Sequence, residues 1–268
     1  MVITLSMLAA DCSTSKSARC VSFANWGKLI LRYNSRMPNS KFTIKKRFNG
    51  PPTSANGGYT AGMLAKSLVG DVAVVLRSPP PLEAELEVHM ANGSADLLHE
   101  DKLIATAHQT VLELAVPACP EVSQIEASHD HYPSVDESVF ATCFVCGPAR
   151  KHGDGLNVFP VALNDDSCVA SHWVPVDNMV DADGLVATEI LWAALDCPGY
   201  FAHRAKNVLM LLGSMTASIA YRPEPNQPLV VMGWQIGVDG RKYYSGTAIF
   251  DHAGSLCAKS TQTWVKLK

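Results

Sequence analysis

Residues 76–88 read LRSPPPLEAELEV, and residues 221–231 read YRPEPNQPLVV. Each leaves an apolar run at an arginine, turns through a proline cluster and resumes in an apolar run, which is the pattern of two strands joined at a rigid corner. The likeness continues downstream, where 101–107 is DKLIATA and 254–260 is GSLCAKS. Working outward from the first corner, the chain reads as a strand at 42–48, a helix at 57–69 and a β-branched strand at 72–77. Strands at 82–90, 95–101 and 103–116 follow, the first pair joined by the Asn92-Gly93 turn. Around the second corner lie strands at 156–161 and 168–174, a helix at 187–195 stopped by Cys197-Pro198-Gly199, and a long strand at 208–221. Strands at 229–238, 243–251 and 256–267 complete it, joined by Asp239-Gly240 and His252-Ala253-Gly254. Helix first and strands afterwards implies an α+β unit, an antiparallel sheet wrapped on one helix. A unit that occurs twice implies two copies packed together.

The segment between the copies, 117–140, holds Glu121, Glu126, Asp130, Asp136 and Glu137 and no lysine or arginine, and it reads as an acidic linker. This divides the chain into a first repeat at 42–116, the linker at 117–140 and a second repeat at 141–268. Residues 1–41 differ from the rest, being Ser-rich and basic with Asp11 as the only acid. They read as an extension, disordered or removed: a transit peptide, a wrongly included upstream sequence or a flexible arm. No basic region precedes the apolar MVITLSMLAA, which argues against a secretory signal.

Composition excludes several classes. With 47% apolar and 18% charged residues over 268 positions, the chain has the make-up of a globular protein rather than a disordered one. A net charge of −3 supplies no field for nucleic acid, and 7% aromatic content supplies little for base stacking. No apolar run reaches the roughly 18 residues of a membrane span. The eight cysteines show no framework spacing, which fits a reducing, cytoplasmic setting.

Two adjacent glycines, Gly57 and Gly58, open the first helix after Asn56. Glycine costs roughly 1 kcal/mol against alanine inside a helix, but at its entrance it lets a ligand approach amides that have no partner within the helix. That reading implies an anion or a polarised carbonyl at the spot. The bland alternative is a tight turn into the helix.

The arrangement of helix, Arg-Pro corner and last hairpin, here Asp251-His252-Ala253-Gly254-Ser255-Leu256-Cys257-Ala258, resembles the hotdog fold. The Asn56-Gly57-Gly58-Tyr59 opening looks like the N-terminal half of double-hotdog acyl-CoA thioesterases. Cys143-Phe144-Val145-Cys146-Gly147-Pro148, continuing to Gly155-Leu156, resembles a segment of phenylacetate-degradation-type hotdog thioesterases, although His152-Gly153-Asp154 stands where those carry Asn-Pro. The resemblance covers residues 42–268. It implies a double hotdog, two antiparallel sheets each wrapped on a central helix and packed as an intramolecular pseudo-dimer. It also implies thioester hydrolysis in lipid metabolism with acyl-CoA as the partner molecule and no cofactor or metal.

Such hydrolases, as the resemblance implies, combine a helix-entrance amide with a carboxylate about eight residues along an equivalent helix. Eight residues at 1.5 Å each span ~12 Å, so one helix cannot offer both to one thioester, while two antiparallel helices can. This chain divides the parts unequally. Eight residues after Gly57 comes Ala65; eight after Thr188 comes Asp196. One complete site follows, with Gly57 and Gly58 from one repeat and Asp196 from the other, and the Gly58 amide roughly 5–7 Å from the carboxylate, one water layer away. Asp196 would act as general base or as nucleophile; the alternative is that it only caps the reversal at Cys197-Pro198-Gly199. Asn56, Tyr59, Met63, Leu191 and Trp192 would line the acyl pocket, with Thr216 or Gln109 orienting water. Arg204, Lys206, Arg222, Arg241 and Lys242 are the cations available to coenzyme A phosphates.

Other residues read more plainly. Cys143 and Cys146 have zinc-knuckle spacing, but only His152, His172 or Cys168 stand out to complete a ligand set, and a structural turn is the simpler reading. Cys197 reads as a buried structural cysteine, and His129 and His131 as solvated linker residues. Two other functions stay open: a non-catalytic acyl-CoA or lipid-binding hotdog protein, and a hotdog hydratase or dehydratase, which Gly153-Asp154-Gly155-Leu156-Asn157 fits poorly. A double hotdog contains its own pseudo-dimer, which allows a monomer, while sheets of this kind often pair further at their edges, which favours a homodimer or higher assembly.

Overall fold

A computed structural model describes residues 40–128, 132–163, 168–203 and 208–268. The extension before residue 40, His129, His131, Arg204 and Lys206 lie outside the described residues. Strands β1 (Ser40–Thr43), β2 (Asp71–Leu76), β3 (Glu85–Ala91), β4 (Ser94–His99) and β5 (Lys102–Thr110) accompany helix α1 (Gly57–Ala65). A short helix α2 (Val122–Ser128) follows. Strands β6 (Val161–Ala162), β7 (Cys168–Trp173), β8 (Met210–Ile219), β9 (Leu229–Asp239), β10 (Lys242–Phe250) and β11 (Leu256–Lys266) accompany helix α3 (Thr188–Phe201).

All eleven strands join one antiparallel sheet in the order β1-β3-β4-β5-β2-β8-β11-β10-β9-β7-β6. The expectation of two sheets is thereby corrected. The two halves present β2 and β8 as open edges, and these pair with each other, Val72 opposite Ala217 and Val74 opposite Met215, so that neither edge is left with unpaired amides. Reading outward from that seam, the halves run β2-β5-β4-β3-β1 and β8-β11-β10-β9-β7, the same order on both sides, with β6 added at the far edge.

Alternation along the strands sets the core. Val72 and Val74, Leu86 and Val88, Ala95 and Leu97, and Met215 and Ala217 are buried with the two long helices in one continuous cluster. Helix α1, GGYTAGMLA, is apolar almost all round, and seven of its nine residues are buried, as such a helix requires. Its close partner is α3, which crosses it antiparallel: an added Cβ on Gly58 would lie 2.6 Å from Asp196 Cβ and Trp192 O, and one on Gly62 would lie 2.6 Å from Glu189 Cα. Gly58 and Gly62 are four residues apart and so share one helix face. Glycine here serves helix approach as well as helix entry.

Several boundaries differ from expectation. Of the 42–48 region only Phe42 and Thr43 pair as a strand, at the end of β1, and Lys46–Phe48 form a single 3-10 turn. Of the expected strand at 156–161 only Val161 is paired, in the two-residue β6. The first helix ends at Ala65 rather than at 69. The acidic linker is packed rather than free: it carries α2, buries Ile125, and its Tyr132 hydroxyl donates to Cys146 O at 2.5 Å.

The second helix does not stop at Cys197-Pro198-Gly199 but runs through it to Phe201. Proline in a helix interior removes one hydrogen bond and crowds the preceding turn. Side chains from the sheet brace the turns on either side of it. Gln262 Nε2 on β11 donates to Leu195 O at 2.6 Å, and Ser245 Oγ on β10 donates to Gly199 O at 2.7 Å. Gly199 and Gly233 are without side chains where Gln262 and the Pro198 carbonyl press closest, so the turn lies flat on the sheet.

Candidate active site

Asn56 is the N-cap of α1 in extended backbone geometry, and its Oδ1 accepts from the Tyr59 amide at 2.8 Å. The same side chain turns its Nδ2 outward, donating to Asp196 Oδ2 at 2.8 Å. The Gly58 amide donates to that same oxygen at 3.0 Å. One carboxylate oxygen, delivered by α3, is thus held by two donors at the entrance of α1. The other oxygen, Asp196 Oδ1, is buried and has no hydrogen-bond partner among the described residues.

The contact is tighter than the expected water layer of roughly 5–7 Å. Gly58 lacks the Cβ that would hold the helices apart, so the carboxylate comes into direct contact and the Gly58 amide is engaged by it. Burial pushes the Asp196 carboxyl up to about 7, with the Gly58 amide and Asn56 pulling the other way and the nearby Cys143 sulfur adding to the rise.

A cavity of about 320 Å³ lies against this point, with Asp196, Asn56 and Gly57 among its lining residues. Leu76, Leu212, Met210, Tyr200, Phe140 and Trp264 form apolar walls, and Pro51, Pro79, Pro80 and Arg77 stand among the remaining lining residues. Arg77 is exposed, and its guanidinium makes no ion pair among the described residues. Sequence reasoning passed over it, although it is the arginine of the first proline corner.

The other residues expected in the acyl pocket sit elsewhere. Tyr59 stacks on Phe48 at 4.1 Å and meets Phe144 edge-on, and it is not among the cavity-lining residues. Met63 faces Phe42 and Met90 in a separate groove. Trp192 is almost fully buried against Gly62, and Leu191 fully so. Thr216 lies between Met215 and Ala217, both of which face the helices, so it points to the other side of the sheet. Gln109 is exposed and donates to Val69 O at 2.5 Å. Arg222 is taken up by Asp181 and Asp183, and Arg241 by the Lys266 carbonyl. At the opposite end of the helix pair, where Ala65 and Thr188 would make the mirror site, Lys66 Nζ bridges Glu189 at 2.9 Å and Asp181 at 3.4 Å. That end is occupied by ion pairs.

The strap at 141–158 closes the cavity from the second half. Phe144 N donates to Asn49 O at 2.7 Å, and Leu156 N to Phe144 O at 2.8 Å. Arg150 clamps it by donating to Thr142 O and Arg47 O, both at 2.9 Å. This strap brings Cys143 and Cys146 against Cys197, the residue after Asp196, with all three sulfurs within 4.8 Å of one another. Among the described residues this is the one cluster able to hold a metal ion; His152, His172 and Cys168, the partners the spacing had suggested, are not in it. Cys197 was missed because its neighbourhood in the fold is set by the helix running through Pro198.

No protein-family model and no curated protein matches the chain. Among solved structures, the acyl-CoA thioesterase II TesB2 of Mycobacterium marinum is 12% identical over 89% of this chain and 98% of that one, with a TM-score of 0.57. The tesB protein of Mycobacterium avium subs paratuberculosis is 12% identical over 90% and 99%, with a TM-score of 0.58. A protein with the hot dog fold from Alicyclobacillus acidocaldarius is 12% identical over 88% and 96%, with a TM-score of 0.57. At such identities the likeness is one of fold, and the fold of this chain is that of hotdog thioesterase structures.

Proposed function

We propose that this protein hydrolyses acyl-CoA thioesters at a single composite site between two hotdog repeats, 42–116 and 141–268, related as an intramolecular pseudo-dimer. The mirrored strand orders about the β2–β8 seam support the pseudo-dimer. The observation that carries the activity is Asp196, a residue lining a largely apolar cavity: one oxygen is fixed by Asn56 and Gly58, and the other has no partner among the described residues. In this reading Oδ1 takes a proton from water as the water oxygen attacks the thioester carbonyl. The first amide of α1, Gly57 N–H, faces the developing oxyanion, and the carbon–sulfur bond then breaks, the sulfur taking up the proton held by Asp196 as it leaves as the thiol. The acyl chain lies along the Leu76, Leu212 and Met210 walls, and Arg77 at the cavity meets phosphate.

One observation favours a second reading. Because the Gly58 amide is bonded to Asp196, it is not free to polarise a carbonyl, as a non-catalytic acyl-CoA binder would tolerate. A panel of acyl-CoA thioesters of graded chain length separates the two. Hydrolysis above the spontaneous rate, saturable in at least one thioester, is expected; saturable binding without thiol release across the whole panel would instead make the protein a binder.

A further inference from the structure

The three sulfurs behind the cavity form a built site. In the turn of Cys143-Phe144-Val145-Cys146-Gly147, the Gly147 amide donates to Cys143 O at 2.9 Å. A Cβ on Gly147 would lie 2.5 Å from that oxygen and from Ala141 O, so the turn needs glycine there.

Cys197 arrives from α3 with its Sγ 3.8 Å from Cys143 Sγ. An ion bound tetrahedrally at ~2.3 Å from each sulfur requires sulfur–sulfur edges of ~3.8 Å. A disulfide, by contrast, brings two sulfurs to ~2.05 Å and leaves the third without a role. All three cysteines are buried, and Cys143, Cys146 and Cys197 all line the cavity, so a fourth direction is open to it.

We propose that Cys143, Cys146 and Cys197 bind one soft divalent cation, zinc in the first instance, as three thiolates with the fourth position open to the cavity. Binding replaces three S–H bonds by three metal–sulfur bonds and releases the protons to solvent; no electron is transferred. The ion ties the strap to α3 one residue from Asp196. The proposal does not depend on thioester hydrolysis.

The test uses the full chain, reduced and freed of metal by a chelator, then titrated with Zn(II) and with Co(II). Expected are about one equivalent per chain by native mass spectrometry, the near-ultraviolet thiolate-to-cobalt band with tetrahedral visible bands, and about three protons released per ion. Cys143→Ser and Cys197→Ser should each weaken binding at least ~10-fold, while Cys257→Ser, a buried cysteine outside the cluster, should leave it unchanged. A wild-type chain that takes up no stoichiometric metal, or a cobalt spectrum lacking the sulfur band, overturns the proposal without recourse to the variants. Binding undiminished in folded Cys143→Ser and Cys197→Ser chains overturns it equally.

Discussion

The carboxyl of Asp196 sits in a conflict between burial, which favours the neutral acid, and two hydrogen-bond donors, which favour the anion. Burial prevails, leaving the group near half ionisation at neutral pH. Because general-base work needs the anion, the rate in the metal-free chain should rise with pH through about 7 and level off above it. A profile flat from pH 5 to 9 would separate the rate from this group. The same shift acts on stability with the opposite sign: a folded value above the unfolded one stabilises the fold below the ordinary carboxyl range, and the benefit disappears as pH rises through about 7. Asp196→Asn, which keeps an acceptor for Gly58 and Asn56, should therefore be more stable than the native chain at pH 8, by about 1–3 kcal/mol in denaturant unfolding. The sequence made this residue legible through the eight-residue offset from Thr188. It did not reveal the direct contact with Gly58, since that distance depends on how closely two helices approach.

At the level of elements, the approach of α1 to α3 is governed by small residues. Gly62→Ala would put a Cβ 2.6 Å from the Glu189 backbone, which cannot give way as a side chain can, so a loss of about 1–3 kcal/mol is expected in unfolding experiments. Gly57→Ala meets only the Leu212 and Leu76 side chains, at 3.0 to 3.2 Å. It should fold with a stability change below about 1 kcal/mol and raise KM by narrowing the inner cavity. Equal destabilisation by the two substitutions would contradict this division of labour. The Gly58-x-x-x-Gly62 spacing was a readable sign of close helix packing that attention to Gly57-Gly58 as an entrance obscured. The continuation of α3 through Pro198 was not readable, because the side chains that brace it, Gln262 and Ser245, lie far along the chain.

On the scale of the whole molecule, the matching strand order of the two halves was the most legible feature, since two proline corners followed by similar strands repeat a pattern that local turn chemistry dictates. What the halves do at their meeting was not legible: whether β2 and β8 pair depends on which edges are exposed once each half has formed. Their pairing makes one sheet of the two halves and lets α1 and α3 lie side by side upon it. The asymmetry of the result follows from single positions. Asp196 and the glycines meet at one end, and Lys66 with Glu189 and Asp181 fill the other. The central claim is that the carboxylate lent by one half to the helix entrance of the other performs the chemistry. It is tested most directly by kcat for the best acyl-CoA substrate in the native chain and in Asp196→Asn of verified fold. A fall of at least ~100-fold is predicted, and a variant that keeps a rate within about threefold of the native one, less than losing even a modest general base would cost, would contradict the account.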